Sequence, residues 1–167
     1  MDNYIIIEEW NVSDVTRDVN MDLNEFNESI RVEGTESGAE WVDQTQFAAI
    51  YNYMKRFNNS YNAISCELMI TVNPIMDDND DVEFEDIMDE FGSEVHGCLR
   101  KSDSIMRKGN SFYLLLPEMT EQNKLVVINR IKSRLQDNGV YYLVDISIDA
   151  MMIGPEMEYA TWNKVAV

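Results

Sequence analysis

The chain of 167 residues carries 31 acidic against 13 basic side chains, a formal net charge of −18, with 45% of its residues apolar. That is enough length and apolar mass for one well-packed domain with an additional arm. A surface this negative repels phosphate backbones, which argues against direct DNA or RNA binding.

Two cysteines, Cys66 and Cys98, have no CxxC spacing. They read as buried free thiols in a reducing compartment, and a cytoplasmic protein is expected. No run approaches the ~18 apolar residues of a membrane span. The opening Met1-Asp2-Asn3-Tyr4 lacks the basic segment of a signal peptide.

Residues 1–40 read as an acidic N-terminal arm and linker, and residues 41–167 as the main domain. Within the arm, Tyr4 to Ile7 suits a short strand. Val15, Val19, Leu23 and Phe26 fall at helical spacing, and Gly34 and Gly38 mark a linker over Arg31 to Glu40.

The domain opens with a helix at Asp43. Asp43 and Gln46 form a capping-box pattern with Val42 and Phe47 placed as a staple, and Phe47, Ile50, Tyr51 and Met54 make one apolar face. Alternation of Cys66, Leu68, Ile70 and Val72 predicts a strand ended by Asn73-Pro74. An acidic loop from Met76 to Asp81 follows, with Asp81 placed to cap the next helix. Phe84, Ile87, Met88, Phe91, Val95 and Leu99 carry that helix to Arg100. Strands Ser104–Arg107 and Ser111–Leu116 flank a turn at Lys108-Gly109-Asn110.

Thr120 caps a further helix with Leu125, Ile128, Ile131 and Leu135 near its inner stripe, and Asn138-Gly139 stops it. Val140 to Ala150 reads as a strand with Tyr142, Val144, Ile146 and Ile148 on one face. Residues 151–167, with Tyr159 and Trp162, offer a weak edge strand. The order α-β-α-β-β-α-β predicts an α+β sandwich of the ferredoxin-like, split-βαβ kind. Helices pack on a mainly antiparallel sheet of four or five strands.

Few residues carry recognisable chemistry. His96, the one histidine, lies in no metal or triad pattern. Asp77 to Asp81 invites a calcium reading, but the sixth and twelfth loop positions would be Val82 and Met88, which rejects an EF-hand. Arg100 and Asp103 stand three apart at a helix-to-strand corner. The arginine offers a donor fork for phosphate or a guanine edge, and the aspartate an acceptor for guanine donors. A local pair that fixes the corner is the alternative reading.

The run Leu99-Arg100-Lys101-Ser102-Asp103, then Gly109-Asn110-Ser111-Phe112, then Leu116-Pro117 resembles the signature hairpin of GGDEF (diguanylate cyclase) domains. Arg130-Ile131 in the next helix also matches, and the resemblance spans about residues 43–150. It implies a nucleotide-cyclase-type sandwich. Family cyclases hold magnesium through a carboxylate in the signature turn and another at the end of the first strand. Here Gly109, Asn110, Ser111 and Phe112 form a degenerate signature, and the strand end offers Thr71 and Asn73.

The chain resembles more closely the degenerate GGDEF-like domains attached to bacterial regulatory proteins. The resemblance implies a catalytically inactive signalling module with no catalytic residue, metal or cofactor. The family's inhibitory Arg-x-x-Asp falls on Arg100 and Asp103, which implies cyclic di-GMP or another guanine nucleotide as ligand. The alternative is an interaction or dimerisation module without a nucleotide. Its partner would be a protein, a fused regulatory domain, or a second copy in a homodimer; nucleic acid and membrane are not expected partners.

Overall fold

A computed structural model describes residues 22–30, 38–75 and 84–155, and the backbone of 163–165. The expected strand at Tyr4–Ile7, the arm helix before Asp22, the acidic loop with its cap Asp81, and Tyr159 and Trp162 lie outside the described residues. Contacts divide the chain into two units, residues 1–34 and 35–167. In the first, helix α1 (Leu23–Ile30) begins at Asp22, whose carboxylate accepts the Glu25 N–H at 2.9 Å. Leu23, Phe26 and Ile30 share one face of it.

The second unit is built on a six-stranded sheet in the order β1-β3-β4-β2-β5-β6. The strands are β1 (Glu40–Trp41), β2 (Ser65–Pro74), β3 (Ser104–Lys108), β4 (Ser111–Leu116), β5 (Val144–Ile153) and β6 (Asn163–Val165). All neighbouring pairs run antiparallel except β1 with β3. Three helices cover the sheet: α2 (Gln44–Tyr61), α3 (Phe84–Gly97) and α4 (Glu121–Asp137). This is the α+β arrangement the periodicity predicts, with the weak C-terminal edge strand present as β6 and one further short strand, β1, at the other edge.

Strand alternation sorts the core into two layers. Leu68, Ile70, Phe112 and Leu114 pack with Met88 and Phe91 of α3 and Ile128 and Ile131 of α4. Leu115, Met106 and Ile153 point the other way, onto Phe47 and Met54 of α2. Both faces of β4 are therefore covered, which is why its sequence is almost wholly apolar. The capping box at Asp43 forms as its sequence suggests, with Gln46 N–H to the Asp43 carboxylate at 2.8 Å and the return bond at 2.9 Å. Thr120 caps α4 through the Asn123 N–H at 3.1 Å. Among the described residues, no helix is long and apolar enough to cross a membrane.

Four expectations need correction. α3 ends at Gly97 and not at Arg100, because Cys98 and Leu99 close tighter turns on the Val95 and His96 carbonyls. Val140–Leu143 forms a 3-10 turn, with Tyr142 N–H on the Gly139 carbonyl, so the last long strand starts at Val144 and Tyr142 is exposed. Leu125 of α4 also faces outward; the inner stripe runs Lys124, Ile128, Ile131 and Leu135, and Leu125 falls about 100° round the helix from Lys124. Finally, the segment read as linker ends in strand β1.

β1 is held from α3. The His96 Nε2 lies 2.7 Å from the Ala39 carbonyl, and the Trp41 ring stacks on the imidazole at 5.7 Å. Gly92 makes this approach fit, since a Cβ there would lie 2.8 Å from the Phe112 ring and 3.2 Å from Trp41.

Candidate functional site: the signature hairpin and the Arg100 corner

β3 and β4 are joined by Gly109-Asn110, of which only Gly109 has positive φ (61°). That is the pattern of a II′ turn, which suits the twist of the flanking strands. The turn folds onto the end of β2. The Asn110 carbonyl accepts the Val72 N–H at 2.9 Å, and its amide donates to Asn73 Oδ1 at 3.2 Å. The hydroxyls of Thr71 and Ser111 lie 3.3 Å apart.

So the two places where the resemblance puts metal-holding carboxylates do meet in space. The side chains that meet there are Thr71, Asn73, Asn110 and Ser111, all neutral. A hard divalent ion prefers carboxylate oxygens, so these residues do not fit magnesium. Among the described residues, no group of three or more His, Cys, Asp or Glu could hold a metal. Phe112, the last signature residue, is fully buried against Phe91 at 5.5 Å and belongs to the core.

At the other end of β3, Asp103 is 2% exposed while Arg100 is exposed. One Asp103 carboxylate oxygen accepts the Arg100 backbone N–H at 2.7 Å, and the Asp103 N–H returns to the Arg100 carbonyl at 3.0 Å. The pair is thus joined through main chain and makes no side-chain ion pair. The second oxygen, Oδ1, is buried without a hydrogen-bond partner. Burial pushes the Asp103 carboxyl up from the ordinary carboxylate range; the Arg100 amide and the nearby Arg100 and Arg130 charges oppose it less strongly.

Arg100 opens onto a groove of about 420 Å³ beside α2, with Tyr53 and Phe57 in its wall and Ser102 and Pro117 near the corner. Part of its polar lining, Asn58 with Ser65, is a buried hydrogen-bonded pair at 3.1 Å, Asn58 also holds the Ile153 carbonyl, and the acidic Glu118 lines the groove as well. The helical face Phe47, Ile50, Tyr51, Met54 captures only part of this wall. The signal for the rest is Tyr53, Phe57 and Tyr61 at i, i+4 and i+8, an aromatic column with Phe57 and Tyr61 rings 4.6 Å apart.

Sheet order, helix placement and hairpin together make this the fold of GGDEF diguanylate cyclase domains. Among solved structures, the chain is similar to a diguanylate cyclase protein from Thermotoga maritima, at 17% identity over 73% of this chain and 89% of that one, with a TM-score of 0.57. It is similar to the diguanylate cyclase SiaD of Pseudomonas aeruginosa, solved with its activator SiaC, at 17% identity over 89% of this chain and 60% of that one (TM-score 0.58). The coiled coil and GGDEF domain of DgcB from Caulobacter crescentus, solved with c-di-GMP, matches at 12% identity over 86% of this chain and 82% of that one (TM-score 0.58). No protein-family model and no curated protein matches the chain by sequence.

Proposed function

We infer that this chain is a cytoplasmic regulatory module on the GGDEF fold that does not make cyclic di-GMP and instead receives a guanine nucleotide, cyclic di-GMP foremost, at the Arg100 corner. The observation that carries this reading is the neutral cluster of Thr71, Asn73, Asn110 and Ser111 at the signature turn. Phosphoryl transfer from a triphosphate needs metal ions held by charged oxygens, and amides and hydroxyls are poor substitutes.

The ligand half of the reading is supported by the exposed Arg100 guanidinium at the lip of an aromatic groove. A guanidinium takes phosphate or a guanine edge bidentately, and a purine stacks on a Tyr or Phe face. Asp103 acts here as a positioning residue that fixes the corner from which Arg100 projects. Residues 1–40 then link or dock the module to a regulatory partner.

Titration of cyclic di-GMP and of GTP into the purified chain, with Arg100→Ala as comparison, tests it. Saturable micromolar binding lost in Arg100→Ala is expected, with no cyclic di-GMP formed from GTP and magnesium. Product formation overturns the inactive half. Absence of binding by either nucleotide overturns the ligand half.

A second reading, a protein-interaction or dimerisation module, is favoured by the column Tyr53, Phe57 and Tyr61, which stand 62%, 37% and 72% exposed. Sedimentation of the chain and of Tyr53→Ser/Phe57→Ser decides it. An unchanged monomer in both, with no bound protein, counts against it.

A further inference from the structure

Glu67 stands mid-strand in β2, opposite Leu115 of β4 and Met151 of β5, on the face that α2 covers. The residue is 9% exposed. Among the described residues, no hydrogen-bond donor and no cation pairs with its carboxylate. It opens onto a groove of about 350 Å³ between α2 and the sheet, which shares no lining residue with the Arg100 groove. Phe47, Tyr51 and Tyr113 line that groove with Met106, and the Phe47 and Tyr113 rings meet edge-on at 6.2 Å. Lys108 lies at the rim, but its ammonium donates to the Gln44 side chain at 3.2 Å.

Burial strips water from most of the Glu67 side chain, and a carboxylate with no protein partner that faces a groove favours a cation there. A cation over the face of a Phe or Tyr ring gains further attraction. The volume falls in the range of small-molecule sites. The chain's net charge of −18 raises the local concentration of cations. We propose that this groove binds a small organic cation of the alkylammonium class, with Glu67 as counter-ion and Phe47, Tyr51 and Tyr113 as walls. The site stands independently of the nucleotide reading.

The probe is n-butylammonium, titrated into the full chain with methyl-labelled methionine at fixed ionic strength, with n-butanol as the neutral comparison. The Met106 methyl signal should shift saturably with n-butylammonium and not with n-butanol. Glu67→Gln, which keeps size and shape, should weaken binding about tenfold or more, the difference between a charged and a neutral acceptor. Lys108→Ala, which removes a competing positive charge from the rim, should tighten it a few-fold. An equal response to n-butanol, a titration that never saturates, or a Glu67→Gln protein that binds as well as the parent overturns the proposal. Should Glu67→Gln fail to fold, the n-butanol comparison and the direction of the Lys108→Ala change decide it.

Discussion

The Asp103 carboxylate grips the Arg100 backbone N–H at 2.7 Å while the Arg100 side chain stays exposed beside the groove. A carboxylate spent on main chain fixes a corner, and its remaining oxygen is left buried and unpaired. Asp103→Ala removes the bond that closes the α3–β3 turn and strands the Arg100 amide. A loss of about 1–3 kcal/mol in urea unfolding is expected.

The same residue sets a pH dependence with a definite sign. Burial raises the Asp103 carboxyl in the folded chain above its ordinary value of 3.8. A folded-state pKa above the unfolded one gives stability that is fully present below the unfolded pKa and is lost as pH rises through the folded value. Asp103→Asn keeps the accepting oxygen and cannot ionise. The stability of the parent relative to Asp103→Asn should therefore fall as pH rises from about 4 toward neutrality. Paired urea curves across that range check it, and a rising difference contradicts it.

Gly92 tests how tightly α3 sits on the sheet. A methyl there meets the Phe112 ring edge at 2.8 Å, well inside contact distance, and Trp41 at 3.2 Å. Phe112 is fully buried against Phe91 and cannot give way, while Trp41, half exposed, is held by His96 on one face. Overpacking of this kind costs about 1–3 kcal/mol. Gly92→Ala should lower the unfolding midpoint accordingly and disturb the near-ultraviolet signal of Trp41.

His96 was legible only as a histidine without a catalytic pattern. Its role as the clamp on β1 depends on Ala39 and Trp41, more than fifty residues away in sequence, and no local periodicity encodes that contact. The same limit explains β1 itself, a two-residue strand hidden in a linker-like composition. The main strands and helices were legible because caps and apolar periods are local. The signature turn was legible because its position relative to Leu99 and Pro117 follows chain spacing. The Glu67 groove was not, since its walls come from α2, β2, β3 and β4 at once. His96→Ala should leave the core intact and raise hydrogen exchange at the amides of Glu40 in β1 and of Val42 just after it, which bond the Asp103 and Ile105 carbonyls, with Leu114 in β4 unchanged.

Burial pushes the Cys66 thiol up to about 12, and it raises the Cys98 thiol too. A thiol reacts as its thiolate, so both are inert near neutral pH while the fold holds. Iodoacetamide at mildly alkaline pH should leave the native chain unmodified and label both cysteines in urea. Rapid native labelling of Cys66 would show that β2 opens far more readily than its packing implies.

The neutral cluster at the hairpin yields the most direct engineering test. Asn73 and Asn110 already meet side chain to side chain at 3.2 Å. Asn73→Asp with Asn110→Asp places two carboxylates at that separation in a partly open site. Without metal, like charges at this distance repel and should lower the melting temperature by several degrees. Millimolar magnesium then bridges the pair, because hard cations favour convergent carboxylate oxygens, and binding to the folded state alone raises its stability. The magnesium-dependent rise should be clearly larger in the double variant than in the parent. Equal rises would mean that the turn does not present these side chains to a common ion, and the geometric basis for reading it as an emptied metal site would fall with that result.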